Sequence, residues 1–306
     1  MRATRVTDNE TTTEAIEAEQ LASTAFEELR ARRLTNWRQT PTTRLSGVAE
    51  ATALINTLGV ATLYPVSPEL PNLLHAYSGD PTTQATSDWD SISGEVYTWR
   101  WTLGKQNAAF YTALARKRPT WISWALLPAA LRLFGELRAT DELYDMGVLS
   151  ANAYHIVQAL EAASEPLSTG DLRKAAGFPM GKEQRTAYLK AIEELETKLL
   201  LAKTFPADAG EPDAGSGDRM CHALVIARHP EAVRAADHLS REEALDQLLT
   251  AYLPYAFYAL PTPLARTLPI SEAELRTAFD RLVERAVTRR VALPSQKAPC
   301  YVWREG

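Results

Sequence analysis

Apolar residues recur at helical spacing in the second half of the chain. The clearest stripe has separations of three, three and four residues and consists of Leu189, Ile192, Leu195 and Leu199. A helix over Ala151–Ala163 and a short one capped by Ser168 precede it, and β-rich segments at 200–205 and 221–227 follow. Three helices closed by a β-hairpin have the order of a winged helix, so the pattern predicts one here.

The same order of elements recurs downstream. Ser240 and Ser271 each begin a capping box that opens a long helix, and Thr262–Thr267 predicts a short helix between them. Segments 287–293 and 300–303 predict the closing hairpin. Corresponding helix starts are offset by 90, 94 and 89 residues, which indicates two copies of one unit.

The first half predicts a further helical domain. An amphipathic helix is expected over 15–33, and a second from Ser46 to Gly59 leads into the β-rich segment Val60–Tyr64. Five tryptophans are expected to build the core of this domain, with a base-stacking or ligand pocket as the alternative: Trp89, Trp99, Trp101, Trp121 and Trp124. The fold class predicted is mainly α with small β wings, in tandem winged helix-turn-helix units.

These patterns divide the chain into four parts. They are a disordered tail over 1–14, an N-terminal helical or winged-helix-like domain with a Trp-rich core over 15–149, a winged helix with a long acidic wing over 150–238, and a C-terminal winged helix over 239–306.

Composition narrows the class of protein. The chain has 306 residues, 45% hydrophobic and 23% charged, which is typical of globular proteins with a sizeable core. Cys221 and Cys300 are too few for a disulfide framework, and the five histidines lack metal-ligand spacing. We therefore expect no metal and no cofactor. The sequence contains neither a membrane span nor an apolar signal core, which predicts a cytoplasmic protein.

Positive charge is concentrated near both ends although the net charge is −5. Residues 26–44 carry five arginines against two glutamates, and residues 276–304 carry seven basic against two acidic residues. We expect the two clusters to converge on one concave surface that contacts DNA phosphates, with a merely solvated face as the alternative. The candidate residues are Arg30, Arg32, Arg33, Arg38, Arg44, Arg281, Arg285, Arg289, Arg290 and Lys297. The wing segment Pro206–Asp218 carries four acidic residues and is expected to avoid DNA.

The order of these segments resembles the AlkZ and YcaQ family of winged-helix DNA glycosylases. The resemblance is carried by Pro166–Arg173 leading to Ala187–Leu195, by Ala251–Leu253 leading to Leu264–Arg266, and by Leu58-Gly59-Val60. It implies a scaffold that binds double-stranded or damaged DNA and, in active members, hydrolyses the N-glycosidic bonds of damaged bases.

One departure bears on catalysis. After the Leu-Gly turn the family carries Gln, an apolar residue, then Gln or Asp, and these polar groups position water and steady the developing sugar cation. Here the positions hold Ala61 and Leu63, which have no polar side-chain atom. The resemblance therefore points to a divergent or non-catalytic member.

Two other functions remain open. Asp88, Asp90 and Glu95 lie among the tryptophans and are candidate replacement carboxylates for an active glycosylase, although capping or solvated roles are the alternative. The other possibility is a protein-interaction or transcription-regulatory winged-helix module. Fold analogy alone does not choose among these functions.

Overall fold

The structure is a computed structural model that describes residues 19–178, 181–205, 220–293 and 298–304. Within these residues one order of elements, helix, strand, helix, helix, strand, strand, occurs three times. We call these repeats unit 1, unit 2 and unit 3. The predicted fold class, mainly α with small β wings in tandem winged helix-turn-helix units, is confirmed. The predicted tail over 1–14 lies outside the described residues.

An N-terminal segment precedes unit 1. It consists of β1 (Glu19–Gln20) and α1 (Ser23–Asn36). Unit 1 consists of α2 (Val48–Leu58), β2 (Val60–Thr62), α3 (Leu73–Ser78), α4 (Ile92–Lys105), β3 (Phe110–Ala113) and β4 (Pro119–Ile122). Its sheet has the order β2-β4-β3 and is antiparallel. The hairpin β3–β4 is the wing of unit 1. Two linking helices follow, α5 (Leu127–Phe134) and α6 (Thr140–Asp145).

Unit 2 repeats this order. It consists of α7 (Ala151–Glu161), β5 (Leu167–Ser168), α8 (Thr169–Ala175), α9 (Lys182–Thr197), β6 (Leu201–Thr204) and β7 (Cys221–Leu224). The predicted strand over 221–227 was too long, because α10 (Val225–Arg228) begins where β7 ends, and α11 (Pro230–Asp237) follows. Ser168 caps α8 by accepting a hydrogen bond from the Asp171 amide, as predicted.

Unit 3 consists of α12 (Arg241–Ala256), β8 (Tyr258–Ala259), α13 (Pro261–Ala265), α14 (Glu272–Glu284), β9 (Thr288–Ala292) and β10 (Cys300–Trp303). Both predicted capping boxes, at Ser240 and Ser271, are present. Its sheet has the order β1-β9-β10-β8, in which β1 pairs parallel to β9. The N-terminal segment and the C-terminal hairpin therefore meet in one sheet.

Two large cores hold the units together. One continuous core joins units 1 and 3, includes Ile55, Trp121 and Phe279, and extends into unit 2 at Ala202; the other lies within unit 2 around Ile156 and Leu195. Units 1 and 3 thus form one packed body, since burying a shared apolar surface disfavours their separation. This body positions the surfaces described next.

Candidate nucleic-acid interface

The family-motif positions lie in the interior of unit 1. Ala61 on β2 pairs with Trp121 on β4 and has no exposed surface, and Leu63 is 1% exposed. Between them the Thr62 hydroxyl donates to the Tyr64 carbonyl at 2.8 Å. A methyl and an isobutyl group in a packed core neither orient a water molecule nor stabilise a cation.

The structure corrects the prediction that Arg33 contacts DNA, because Arg33 is buried. Its guanidinium donates to the carbonyls of Ala256, Pro68 and Tyr258 and lies 3.5 Å from the Glu69 carboxylate. Burial alone lowers the pKa of Arg33, but the facing Tyr252 and Glu69 oxygens outweigh that effect and raise it. Arg33 is thus a charged group whose partners are all inside the protein.

The other N-terminal arginines stay at the surface. Arg30 forms an ion pair with Glu27 at 3.0 Å, and the Arg38 guanidinium donates to the Thr43 carbonyl at 3.3 Å. Arg32 lies over the Phe257 ring, 4.1 Å from its centroid. Exposed Arg44 has its Cβ close to Gly79. This part of the predicted set faces solvent around α1.

The C-terminal arginines are divided among different faces. Arg281 and Arg285 both contact the Asp246 carboxylate of α12, at 2.7 and 2.9 Å, and Arg281 also pairs with Glu242. On β9, Arg289 and Arg290 point to opposite sides of the sheet, because neighbouring strand residues alternate. Lys297 lies outside the described residues.

These faces follow from the strand register. Arg289 pairs with Val302, which packs with Leu21 on the α1 side, whereas Arg290 pairs with Tyr301, whose ring stacks on Phe279 of α14. The strands β1 and β9 meet, but the arginines are spread over the α1 side, the α14 side and the contact with α12. One common concave surface for all of them remains a prediction that this distribution does not favour.

The carboxylates considered as replacement catalysts are all exposed. The Asp88 carboxylate accepts a hydrogen bond from the Asp90 amide at 3.1 Å in the turn before α4. Both Glu95 oxygens accept from the Tyr77 hydroxyl, at 2.7 and 2.8 Å, and this bond raises the pKa of Tyr77. None of the three carboxylates is enclosed by the protein, so no water-excluded site forms around them.

The tryptophans divide between core and surface. Trp99 and Trp121 are buried, Trp101 and Trp124 are half-buried, and Trp89 is 65% exposed. The Trp-rich segment therefore contributes to the core and also leaves one indole ring at the surface of unit 1. The base-stacking alternative stays a prediction.

Sequence reasoning missed a basic turn at the tip of the unit 1 wing. Arg116, Lys117 and Arg118 are consecutive and exposed between β3 and β4. The sequence does carry a signal for this turn, since three adjacent basic residues stand between two β-rich segments. The turn is tight, since Arg116 and Lys117 adopt positive φ angles of 47° and 58°. Such backbone conformations are unfavourable for side-chain-bearing residues and persist where surrounding contacts hold them.

Contacts within unit 1 and to the other two units hold this turn. The Arg116 guanidinium donates to the Arg266 carbonyl at 3.0 Å and to the Val66 carbonyl at 3.3 Å, and the Arg116 amide donates to the Thr267 carbonyl at 3.2 Å. Lys117 forms an ion pair with Glu193 of α9 at 2.7 Å. We define Arg116, Lys117, Arg118 and Arg266 as the wing-1 patch.

The wing-1 patch carries a surplus of positive charge. Of its four cations, Lys117 pairs with Glu193; the nearby Glu272 carboxylate interacts with Arg266 but forms its ion pair with Arg276. A positive surplus is therefore displayed where units 1, 2 and 3 meet. Because carbonyls hold the Arg116 guanidinium and Glu193 holds the Lys117 ammonium, the turn keeps its three basic residues together at one surface.

Other chemistry is limited within the described residues. No group of three or more His, Cys, Asp or Glu there is arranged to hold a metal ion. None of the helices in these ranges is both long enough and apolar enough to cross a bilayer. Burial lowers the pKa of His222 and of His229 to about 4, so both rings are neutral at pH 7.

The repeated units and the wing-1 patch define a multi-unit winged-helix scaffold with a basic wing. A family model described as AlkZ related matches residues 45–266, and the chain belongs to the AlkZ-related family. The resemblance predicted from the sequence is thereby confirmed. Among solved structures, the Streptomyces sahachiroi DNA glycosylase AlkZ is similar, with 14% identity and a TM-score of 0.54 over 91% of this chain and 69% of that one. At this identity the likeness shows the fold. No curated protein matches the sequence.

Proposed function

We propose that this chain is a DNA-binding protein on a glycosylase-related scaffold and that it does not excise bases through the family motif. The observation that carries the second part is the complete burial of Ala61 and Leu63 in an apolar core. Family membership and the wing-1 patch support the first part. Double-stranded or damaged DNA is the proposed partner.

The wing-1 patch is the proposed main contact surface. Wings and flanking elements of winged helices reach phosphates, and phosphate contacts supply most of the sequence-independent affinity. Arg30, Arg32, Arg38 and Arg44 around α1 extend this surface. We leave Arg281 and Arg285 out of it because Asp246 and Glu242 together neutralise them, and Arg33 because it is buried.

The salt dependence of duplex binding tests this surface. Replacing Arg116, Lys117 and Arg118 by Ala removes up to three phosphate contacts, so the slope of log affinity against log salt falls by roughly 3 and the affinity near 0.1 M salt by roughly 10²-fold. The control is Arg281→Ala with Arg285→Ala. This variant removes two positive charges that carboxylates already neutralise, so we expect the salt slope to change little. Equal effects of the two variants would refute the assignment of the contact face.

Release of damaged bases tests the catalytic part. Duplexes carrying alkylated or crosslinked bases are incubated with the protein and assayed for abasic sites, and we expect none above the rate without protein. Base release that is lost in Asp88→Ala, Asp90→Ala or Glu95→Ala would instead establish an active glycosylase. Absent or salt-insensitive DNA binding would favour a protein-interaction or transcription-regulatory module.

A further inference from the structure

A groove runs between α1 and the loops that precede α3 and α4. It has a volume of about 600 Å³ and its lining includes Arg30, Leu34, Gln39, Val66 and Gln84. This volume is within the range of small-molecule sites, which combine apolar walls with a few placed polar groups. We call it the α1 groove.

The α1 groove is lined by two cations. Its described lining contains Arg30 and Arg33 and no Asp or Glu, while the carboxylates of Glu27 and Glu69 pair with these arginines from outside the lining. Arg33 is already bound to carbonyls of the interior, so Arg30, exposed beside Glu27, is the cation at the mouth. Val66 connects this mouth to the wing-1 patch, because its carbonyl accepts a hydrogen bond from Arg116.

Inside the groove one buried donor has no acceptor within the described protein. Gln39 is 3% exposed, and its Nε2 atom lacks a hydrogen-bond partner there. Buried polar groups are nearly always paired, so an unpaired amide that lines a groove points to a ligand acceptor. Arg38 adopts a φ of 60°, and the main-chain N–H of Gln39 donates to the Leu34 carbonyl at 2.8 Å, a turn that places the Gln39 side chain in the interior.

The neighbouring polar groups satisfy one another. His75 Nδ1 lies 3.0 Å from the Asn72 amide nitrogen, and His75 Nε2 lies 3.0 Å from the Thr83 carbonyl oxygen. Asn72 is a donor and Thr83 an acceptor in these contacts, so the ring is the neutral Nε2–H tautomer. Burial also lowers the pKa of His75. His75 therefore adds no charge, and the donors for a ligand are Gln39 and Arg30.

We propose that the α1 groove binds a nucleoside phosphate, with the phosphate at Arg30 and an acceptor on the base edge at the Gln39 amide. An amide is a suitable partner for base edges, and a guanidinium is a suitable partner for phosphate. Pro65, Pro68 and Pro81 supply apolar walls. The nucleotide comes either from a DNA strand, which rests on the proposed function, or from the free pool.

The test uses the full chain and two kinds of probe. Deoxynucleoside 5′-monophosphates are titrated by calorimetry, and fluorescent oligonucleotides with and without an extrahelical nucleotide are titrated by anisotropy. We expect Gln39→Leu and Arg30→Gln each to weaken binding of at least one probe by tenfold or more. The matched control is Gln158→Leu on the exposed face of α7, outside the groove, which is expected to leave both affinities unchanged.

Each outcome supports or overturns the proposal. Loss of mononucleotide binding in Gln39→Leu identifies a free nucleotide as a ligand, and loss confined to oligonucleotides identifies a strand nucleotide. Mononucleotide binding through Gln39 without duplex binding by the wild type would refute the proposed DNA-binding function and leave the groove site standing. If neither probe binds, or if Gln39→Leu with an unchanged melting temperature binds both probes like the wild type, the groove proposal is wrong.

Discussion

Arg33 on α1 and Arg116 on the wing of unit 1 both belong to basic runs, and both donate to backbone carbonyls of distant elements. Arg33 is 3% exposed and faces the Glu69 carboxylate, whereas Arg116 is exposed beside Lys117 and Arg118. The protein neutralises the first charge internally and displays the second. Partners remote in sequence, rather than the local density of arginine, decide whether a basic run is structural or available to a polyanion.

The largest expected effect comes from breaking the interior pair. Glu69→Ala leaves the Arg33 guanidinium without its carboxylate, and removing one partner of a buried pair costs about 3–5 kcal/mol. The free energy of unfolding is measured by urea denaturation at pH 7. The control, Glu231→Ala, removes the partner of exposed Arg234 and is expected to cost less than about 1 kcal/mol. Similar losses in the two variants would remove the distinction between interior and surface arginines.

The sequence predicted units 2 and 3 well because their signals are local. Leu195 on α9 lies on one apolar stripe, and the capping boxes at Ser240 and Ser271 mark helix starts within a residue. Helix starts in the structure, at 151 and 241, 169 and 261, and 182 and 272, confirm near-constant spacing. Ser46 was a wrong cap, since α2 begins at Val48 after Gly47.

The third copy of the repeat was hidden by longer connections. In unit 1, residues 59–72 separate the first two helices and residues 79–91 the next two, whereas unit 2 uses 162–168 and 176–181. The wing-1 patch was not predicted, because the aromatic residues on both sides of 116–118 indicate a hydrophobic core. Arg33 was misplaced because Glu69 and Tyr252 meet it only in the folded chain.

The second-largest expected effect on stability concerns His222, a buried basic side chain whose pKa no facing carboxylate raises. Desolvation, with a smaller contribution from Lys203, lowers the pKa of His222 to about 4, so its ring stays neutral where Arg33 stays charged. The unfolded chain binds this proton near pH 6.5 and the folded one only near pH 4. Stability is therefore complete above about pH 6.5 and declines as the pH falls towards 4, by up to about 3 kcal/mol.

This dependence is measured by urea unfolding between pH 7 and 4.5. His222→Gln removes the titrating ring, and we expect a shallower decline, with the remainder contributed in part by His229, whose pKa is also lowered to about 4. An unchanged decline in His222→Gln would show that other groups control acid stability and that burial of this ring is not the cause.

The wings of units 1 and 2 provide a smaller test on DNA affinity. Unit 1 carries Arg116-Lys117-Arg118 in its wing, whereas the connection between β6 and β7 in unit 2 is acidic. Its four carboxylates are Asp208, Glu211, Asp213 and Asp218. Converting them to amides removes four negative charges and is expected to raise duplex affinity by roughly tenfold or less, because 0.1 M salt screens the repulsion between carboxylates and DNA phosphates.

The salt slope should stay unchanged in this variant, since no cation is added to the contact surface. Glu142→Gln with Asp145→Asn on α6 is the control for a general change in net charge. An equal gain per charge in the control would mean that the unit 2 wing has no special relation to the DNA.

The smallest expected effect lies at the contact between the wing-1 patch and α9. Lys117 and Glu193 are 63% and 48% exposed, so their ion pair is worth about 0–1 kcal/mol and Glu193→Gln should hardly change the free energy of unfolding. The same change releases the Lys117 ammonium for phosphate, and we expect a duplex affinity a few-fold higher with a slightly steeper salt slope. The gain should vanish when Lys117→Ala is combined with Glu193→Gln. A gain that persists in the double variant would mean that Glu193 repels DNA directly and that Lys117 is no phosphate contact.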